Sequence, residues 1–124
     1  MIAYLKDEDG AGVVEEHLAG DEGPCVAHAV NLCEVYYDYL RNEGEEAAKD
    51  AVETLKNDGL EVRTDMDEPF WKNIGGYKAG NRVSLADCFA IALANREDAK
   101  VSTSDHHEFD SIAAAALCEV EFIR

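Results

Sequence analysis

Positive charge is what this sequence has least of: 11 lysines and arginines stand against 27 aspartates and glutamates, a formal net charge of −16. A protein that grips duplex nucleic acid nonspecifically carries a basic face, because neutralising phosphates supplies much of the affinity. The chain lacks the residues for a large one. Two explanations of the acidity stay open, a basic partner or a salt-rich cytoplasm in which surface acids remain hydrated and their repulsion is screened. The runs Asp7-Glu-Asp9, Glu43 to Glu46 and Asp65 to Glu68 are compatible with the second.

Other absences narrow the field. No apolar run is long enough to cross a bilayer, and Met1-Ile-Ala-Tyr-Leu is too short for a secretory leader. A cytoplasmic location without membrane attachment is the expectation. Cys25, Cys33, Cys88 and Cys118 are widely separated, form no C-x-x-C pair and sit mostly among Val, Leu, Phe or Ala. That argues against a disulfide framework or zinc site and for reduced, structural cysteines. Gly75-Gly-Tyr-Lys78-Ala-Gly80 lacks the G-K-[ST] ending of a P-loop. It reads as a flexible loop presenting Lys78 and Arg82 to a substrate phosphate. His106 and His107 are adjacent, so their side chains diverge, and they read as exposed turn residues; His28 stands alone. No Ser-His-Asp arrangement or activated cysteine is evident. No repeat or Pro/Ser-rich linker interrupts the 124 residues, so one domain spanning 1–124 is expected.

What is present alternates between helical and extended patterns. Helices are predicted over Gly12 to Leu18, Val30 to Arg41, Glu45 to Asn57 and Ser84 to Glu97, with a helical start at Pro69 to Ile74 interrupted by Gly75-Gly76 and a helical turn at Ser111 to Ala116. Strands are predicted at Cys25 to Ala27, Leu60 to Arg63, Lys100 to Ser102 and Glu119 to Ile123. In the second helix Val30, Cys33, Tyr37 and Leu40 share one face, expected to be core, and Asn31, Glu34 and Asp38 share another. Alternation of this kind implies an α/β fold with a parallel sheet flanked by helices. Ligands of such sheets bind at the carboxyl ends of strands, and Asp105 lies just past one.

Three acidic islands carry the chemistry: Asn31-Leu-Cys-Glu34-Val-Tyr-Tyr37, Ser84-Leu-Ala-Asp87 and Val101-Ser-Thr-Ser-Asp105. Each sets a carboxylate beside an apolar segment, where desolvation and mutual repulsion disfavour the ionised form. A hard divalent cation relieves both, and an all-oxygen donor set suits Mg²⁺ or Mn²⁺. Each acid also has a plain structural reading. Glu34 fits a solvated helical carboxylate. Ser84-x-x-Asp87 fits a capping box, with Asp87 folding back onto the helix N-terminus, although Asp87 also shares a stripe with Ile91 and Ala94. Asp105 could cap a helical turn, with Glu108 three residues on.

Taken in order, these segments resemble the PIN domain, specifically VapC-type toxins of bacterial and archaeal toxin–antitoxin pairs. Ala29-Val-Asn-Leu-Cys-Glu34-Val-Tyr-Tyr is similar to the family's second acidic motif. Lys78 to Ala94, with Ser84-Leu-Ala-Asp87 inside it, is similar to the third, and Val101-Ser-Thr103-Ser-Asp105-His-His-Glu-Phe109 to the fourth. The resemblance implies a three-layer fold and a Mg²⁺- or Mn²⁺-dependent endoribonuclease acting as a toxin. It implies Glu34, Asp87 and Asp105 as catalytic metal ligands supported by Asn31 and Thr103, an RNA substrate, an antitoxin with a basic segment, and a homodimer. One departure stands out. Family members open with a strand ending in Asp, then a helix resembling Ile2-Ala-Tyr-Leu-Lys; Met1 falls inside that helix, so the first strand and its Asp are expected to be absent or supplied by rearrangement. The alternative is a catalytically impaired PIN-like module that acts by binding a protein. A phosphorylated signalling receiver fits less well, because the motif acids lie on helices rather than at strand ends.

Overall fold

The computed structural model describes every residue, Met1–Arg124. Its contacts group into two compact units, Met1–Arg63 and Thr64–Arg124.

The first unit runs α1 (Ile2–Leu5), α2 (Ala11–Ala19), β1 (Val26–His28), α3 (Ala29–Glu43), α4 (Glu45–Asn57) and β2 (Glu61–Arg63). β1 and β2 pair in parallel, Val26 opposite Glu61 and His28 opposite Arg63, so the α3–α4 pair is the crossover that a parallel connection requires. α3 begins at His28, a buried residue whose Nδ1 accepts from Val30 N at 3.1 Å. Gly44 alone separates α3 from α4, with φ of +98°, a conformation open to glycine because it has no Cβ. α4 buries Ala48, Ala51 and Leu55, spaced i, i+3, i+7.

The core face of α3 is not the one its sequence suggests. Leu32, Val35 and Tyr39 are buried, whereas Tyr37 is 56% and Leu40 43% exposed and Cys33 is also exposed. Both sets follow helical spacing, so periodicity alone cannot choose between two apolar stripes. The choice belongs to tertiary contact, because α3 packs on α4, β1 and β2 along the Leu32 side.

The second unit runs α5 (Glu68–Gly80), α6 (Leu85–Arg96), β3 (Val101–Thr103), α7 (His106–Ala114) and β4 (Val120–Phe122). β3 and β4 pair in parallel, Val101 opposite Val120 and Thr103 opposite Phe122, with α7 as the crossover. α6 is buried nearly all round, through Cys88, Phe89, Ile91, Ala92, Leu93 and Ala94. α5 lies against it, with the Phe70 and Phe89 rings edge to face at 6.1 Å. The fold class is therefore the expected α/β with parallel strands, but the four strands form two pairs rather than one sheet.

Two boundaries differ from expectation by more than two residues. α5 runs through Gly75-Gly76 instead of opening into a loop. Two interior glycines cost about 2 kcal/mol together against alanine, and the burial of Phe70 and Ile74 on one face offsets this. Lys78 is therefore helical, and its Nζ donates to the Val83 carbonyl at 2.8 Å. α7 starts at His106 rather than Ser111, because Asp105 caps it: Asp105 Oδ1 accepts from Glu108 N at 3.1 Å.

Candidate metal centre

The second unit brings three carboxyl groups together. Ligand oxygens of Asp87, Asp105 and Glu108 lie within 4.8 Å of one another, each delivered by a different local device.

Asp87 sits in the first turn of α6. Ser84 is the N-cap, and its Oγ accepts from Asp87 N at 3.1 Å. This is half of the predicted capping box. The other half is not local, because the Ser84 amide donates to Glu108 Oε2 at 3.2 Å. The carboxyl of Asp87 is instead hydrogen-bonded to that of Glu108.

Asp105 lies in the turn after β3. Its own amide donates to Thr103 Oγ1 at 3.0 Å while its carboxylate caps α7. Thr103 thus stabilises the turn that presents Asp105. The site falls at the carboxyl end of β3, where parallel strands place ligands.

Glu108 was not singled out by sequence beyond its place three residues after Asp105. It is half-buried, and its carboxyl is held below the usual carboxylate range. The first cause is the hydrogen bond with Asp87; the Ser84 amide and the positive charges of His107 and Lys78 act in the same direction, against desolvation. Three carboxyl oxygens in one small volume, with no sulfur and no imidazole among them, fit a hard cation such as Mg²⁺ or Mn²⁺.

The remaining expected residues belong to the first unit. Glu34 is exposed on α3, and Asn31 is half-buried one turn earlier. His106 and His107 are exposed as expected. His106 nonetheless has a defined place: Nδ1 lies 2.9 Å from Asp110 Oδ1, Nε2 lies 2.8 Å from the Arg124 carbonyl, and the ring stacks on Phe122 at 4.0 Å.

Comparison with known proteins extends this picture. The description "PIN domain" matches residues 1–115. Among solved structures, a chain of the crystal structure of VapBC2 from Rickettsia felis bound to a DNA fragment from their promoter superposes with a TM-score of 0.73. It shares 18% identity, over 97% of this chain and 89% of that chain. At that identity the likeness is one of fold. The comparison with curated proteins gave no match.

Proposed function

Because this chain belongs to the PIN domain family, we propose that it is a divalent-metal-dependent endoribonuclease, the toxin of a toxin–antitoxin pair. The observation that carries the proposal is the convergence of Asp87, Asp105 and Glu108 at the end of β3. Asp87 and Asp105, with Glu108 beside them, would bring Mg²⁺ or Mn²⁺ to this point, and the bound cation would supply positive charge toward an RNA phosphodiester and a more acidic water. Thr103 holds the Asp105 turn, and the Ser84 cap holds the first turn of α6. The positive charge of Lys78, felt at Glu108, favours an anionic substrate in a chain otherwise strongly negative. Glu34 and Asn31 keep the ligand and supporting roles that the family resemblance assigns them. The family match runs across both units, which supports reading 1–124 as one functional domain.

The partner proposal rests on charge and on the structural relative. The VapBC2 structure is of a complex bound to its promoter DNA, and a net charge of −16 suits an antitoxin with a basic segment. The exposed Tyr37 and Leu40 on α3 offer apolar surface to a protein partner, whether an antitoxin or a second copy in a homodimer. That surface also favours the second reading, a PIN module that binds protein without cutting RNA.

Cleavage of an end-labelled RNA, assayed with Mn²⁺ and with chelator, separates the two. The nuclease reading expects Mn²⁺-dependent cleavage that falls by about 100-fold or more in Asp105→Asn, the upper range for disturbing a metal centre. Cleavage equal in parent and variant, or insensitive to chelator, would contradict it.

A further inference from the structure

The backbone amide of Ser84 is satisfied by a residue from another helix. In a self-contained capping box the third helical residue, here Asp87, accepts from the N-cap amide. In this protein Glu108 Oε2 accepts from Ser84 N at 3.2 Å instead. Asp87 contributes only its amide to the cap, donating to Ser84 Oγ at 3.1 Å. Its carboxyl engages Glu108, within 4.8 Å of the Asp105 oxygens. Glu108 is itself anchored from the other side, since its amide donates to Asp105 Oδ1 at 3.1 Å. One glutamate therefore spans the N-terminal turns of α6 and α7, the two turns that supply Asp87 and Asp105.

We propose that Glu108 is a positioning residue: by occupying the Ser84 amide it denies Asp87 its local cap and keeps the Asp87 carboxyl turned toward Asp105. The inference deepens the metal-centre reading and rests on it. It makes Glu108 act through Asp87, which is a different role from an independent ligand or an incidental surface acid. The acceptor for the Ser84 amide thus comes from a second helix rather than from Asp87.

The test is Mn²⁺ binding by calorimetry on the full chain, for the parent, Glu108→Ala, Glu108→Gln, Asp87→Ala and the double variant Asp87→Ala/Glu108→Ala. Glutamine keeps a carbonyl oxygen for the Ser84 amide and an N–H for Asp87, but carries no charge. Positioning predicts that Glu108→Ala weakens binding about tenfold, in the range for supporting residues. Glu108→Gln should stay within about threefold of the parent, and Glu108→Ala should add nothing once Asp87 is alanine. Hydrogen exchange at the Ser84 amide, measured without metal, should quicken in Glu108→Ala and not in Glu108→Gln. Equal losses in the alanine and glutamine variants would make Glu108 a ligand and overturn the proposal. So would additive losses in the double variant, or parent-like binding by Glu108→Ala. Absence of saturable binding in the parent would remove the metal-centre reading itself, and the inference with it.

Discussion

At the scale of the residue, short polar contacts decide what each acid can do. Ser84, Asp87, Asp105 and Thr103 were all visible in sequence because capping residues and post-strand acids have recognisable spacing. Glu108 was not, because its value lies in a contact 24 residues away with Ser84; no local pattern announces such a bond. Ser84→Ala should cost about 1 kcal/mol by urea unfolding, since it removes the acceptor for the Asp87 amide. His106 makes a separate prediction. Both of its ring nitrogens face acceptors, the Arg124 carbonyl and the Asp110 carboxylate, so both must carry protons for both bonds to form. Its pKa is accordingly raised from the ordinary 6.5, first by the Arg124 carbonyl and then by Asp110. A raised folded-state pKa contributes stability that is full below 6.5 and lost as pH rises through the folded value. Thermal unfolding of the parent and His106→Gln should therefore differ most at mildly acidic pH, and the gap should narrow toward alkaline pH to the part owed to the Phe122 stacking. A gap that widens with pH would contradict this.

At the scale of the element, the sequence was most legible where one strong pattern had no rival. α4 carries a single apolar stripe and stop signals at Asp58-Gly59, and its boundaries are those predicted. α3 carries two apolar stripes, and only packing against α4, β1 and β2 identifies the inner one. α5 was misread because glycine weakens a helix without forbidding it. The Gly75 and Gly76 positions are exposed, and an added Cβ would meet nothing within 4 Å. Gly75→Ala and Gly76→Ala should therefore each stabilise the protein by roughly 0.5–1 kcal/mol, read as a higher denaturation midpoint. Gly59 predicts the reverse. Its φ is +121°, and a Cβ there would lie 2.3 Å from the Leu18 carbonyl oxygen, where the turn before β2 meets the end of α2. Gly59→Ala should lower stability by more than about 1 kcal/mol, and a neutral result would refute that close approach.

At the scale of the whole molecule, the chain belongs to the PIN domain family, and the match over residues 1–115 includes residues of both units. The alternation of helix and strand made the α/β class legible, and parallel pairing followed from the long crossovers. The division of the strands into two pairs was not legible, since pairing partners are chosen by long-range packing rather than by the three-residue strands themselves. The same limit applies to the acidic cluster: the sequence marked carboxylates one motif at a time, and folding decided that Asp87, Asp105 and Glu108 meet. With a net charge of −16, weak cation binding anywhere on the surface is the competing explanation for any metal effect. Mn²⁺ titration of the isotopically labelled protein, followed by paramagnetic broadening of backbone amide signals, addresses that competition directly. The account predicts that Ser84 to Asp87 and Asp105 to Glu108 broaden first, at substoichiometric Mn²⁺, and recover with chelator. Broadening that instead spreads evenly over the acidic runs at residues 7–9, 43–46 and 65–68 would show that the three carboxyls form no site.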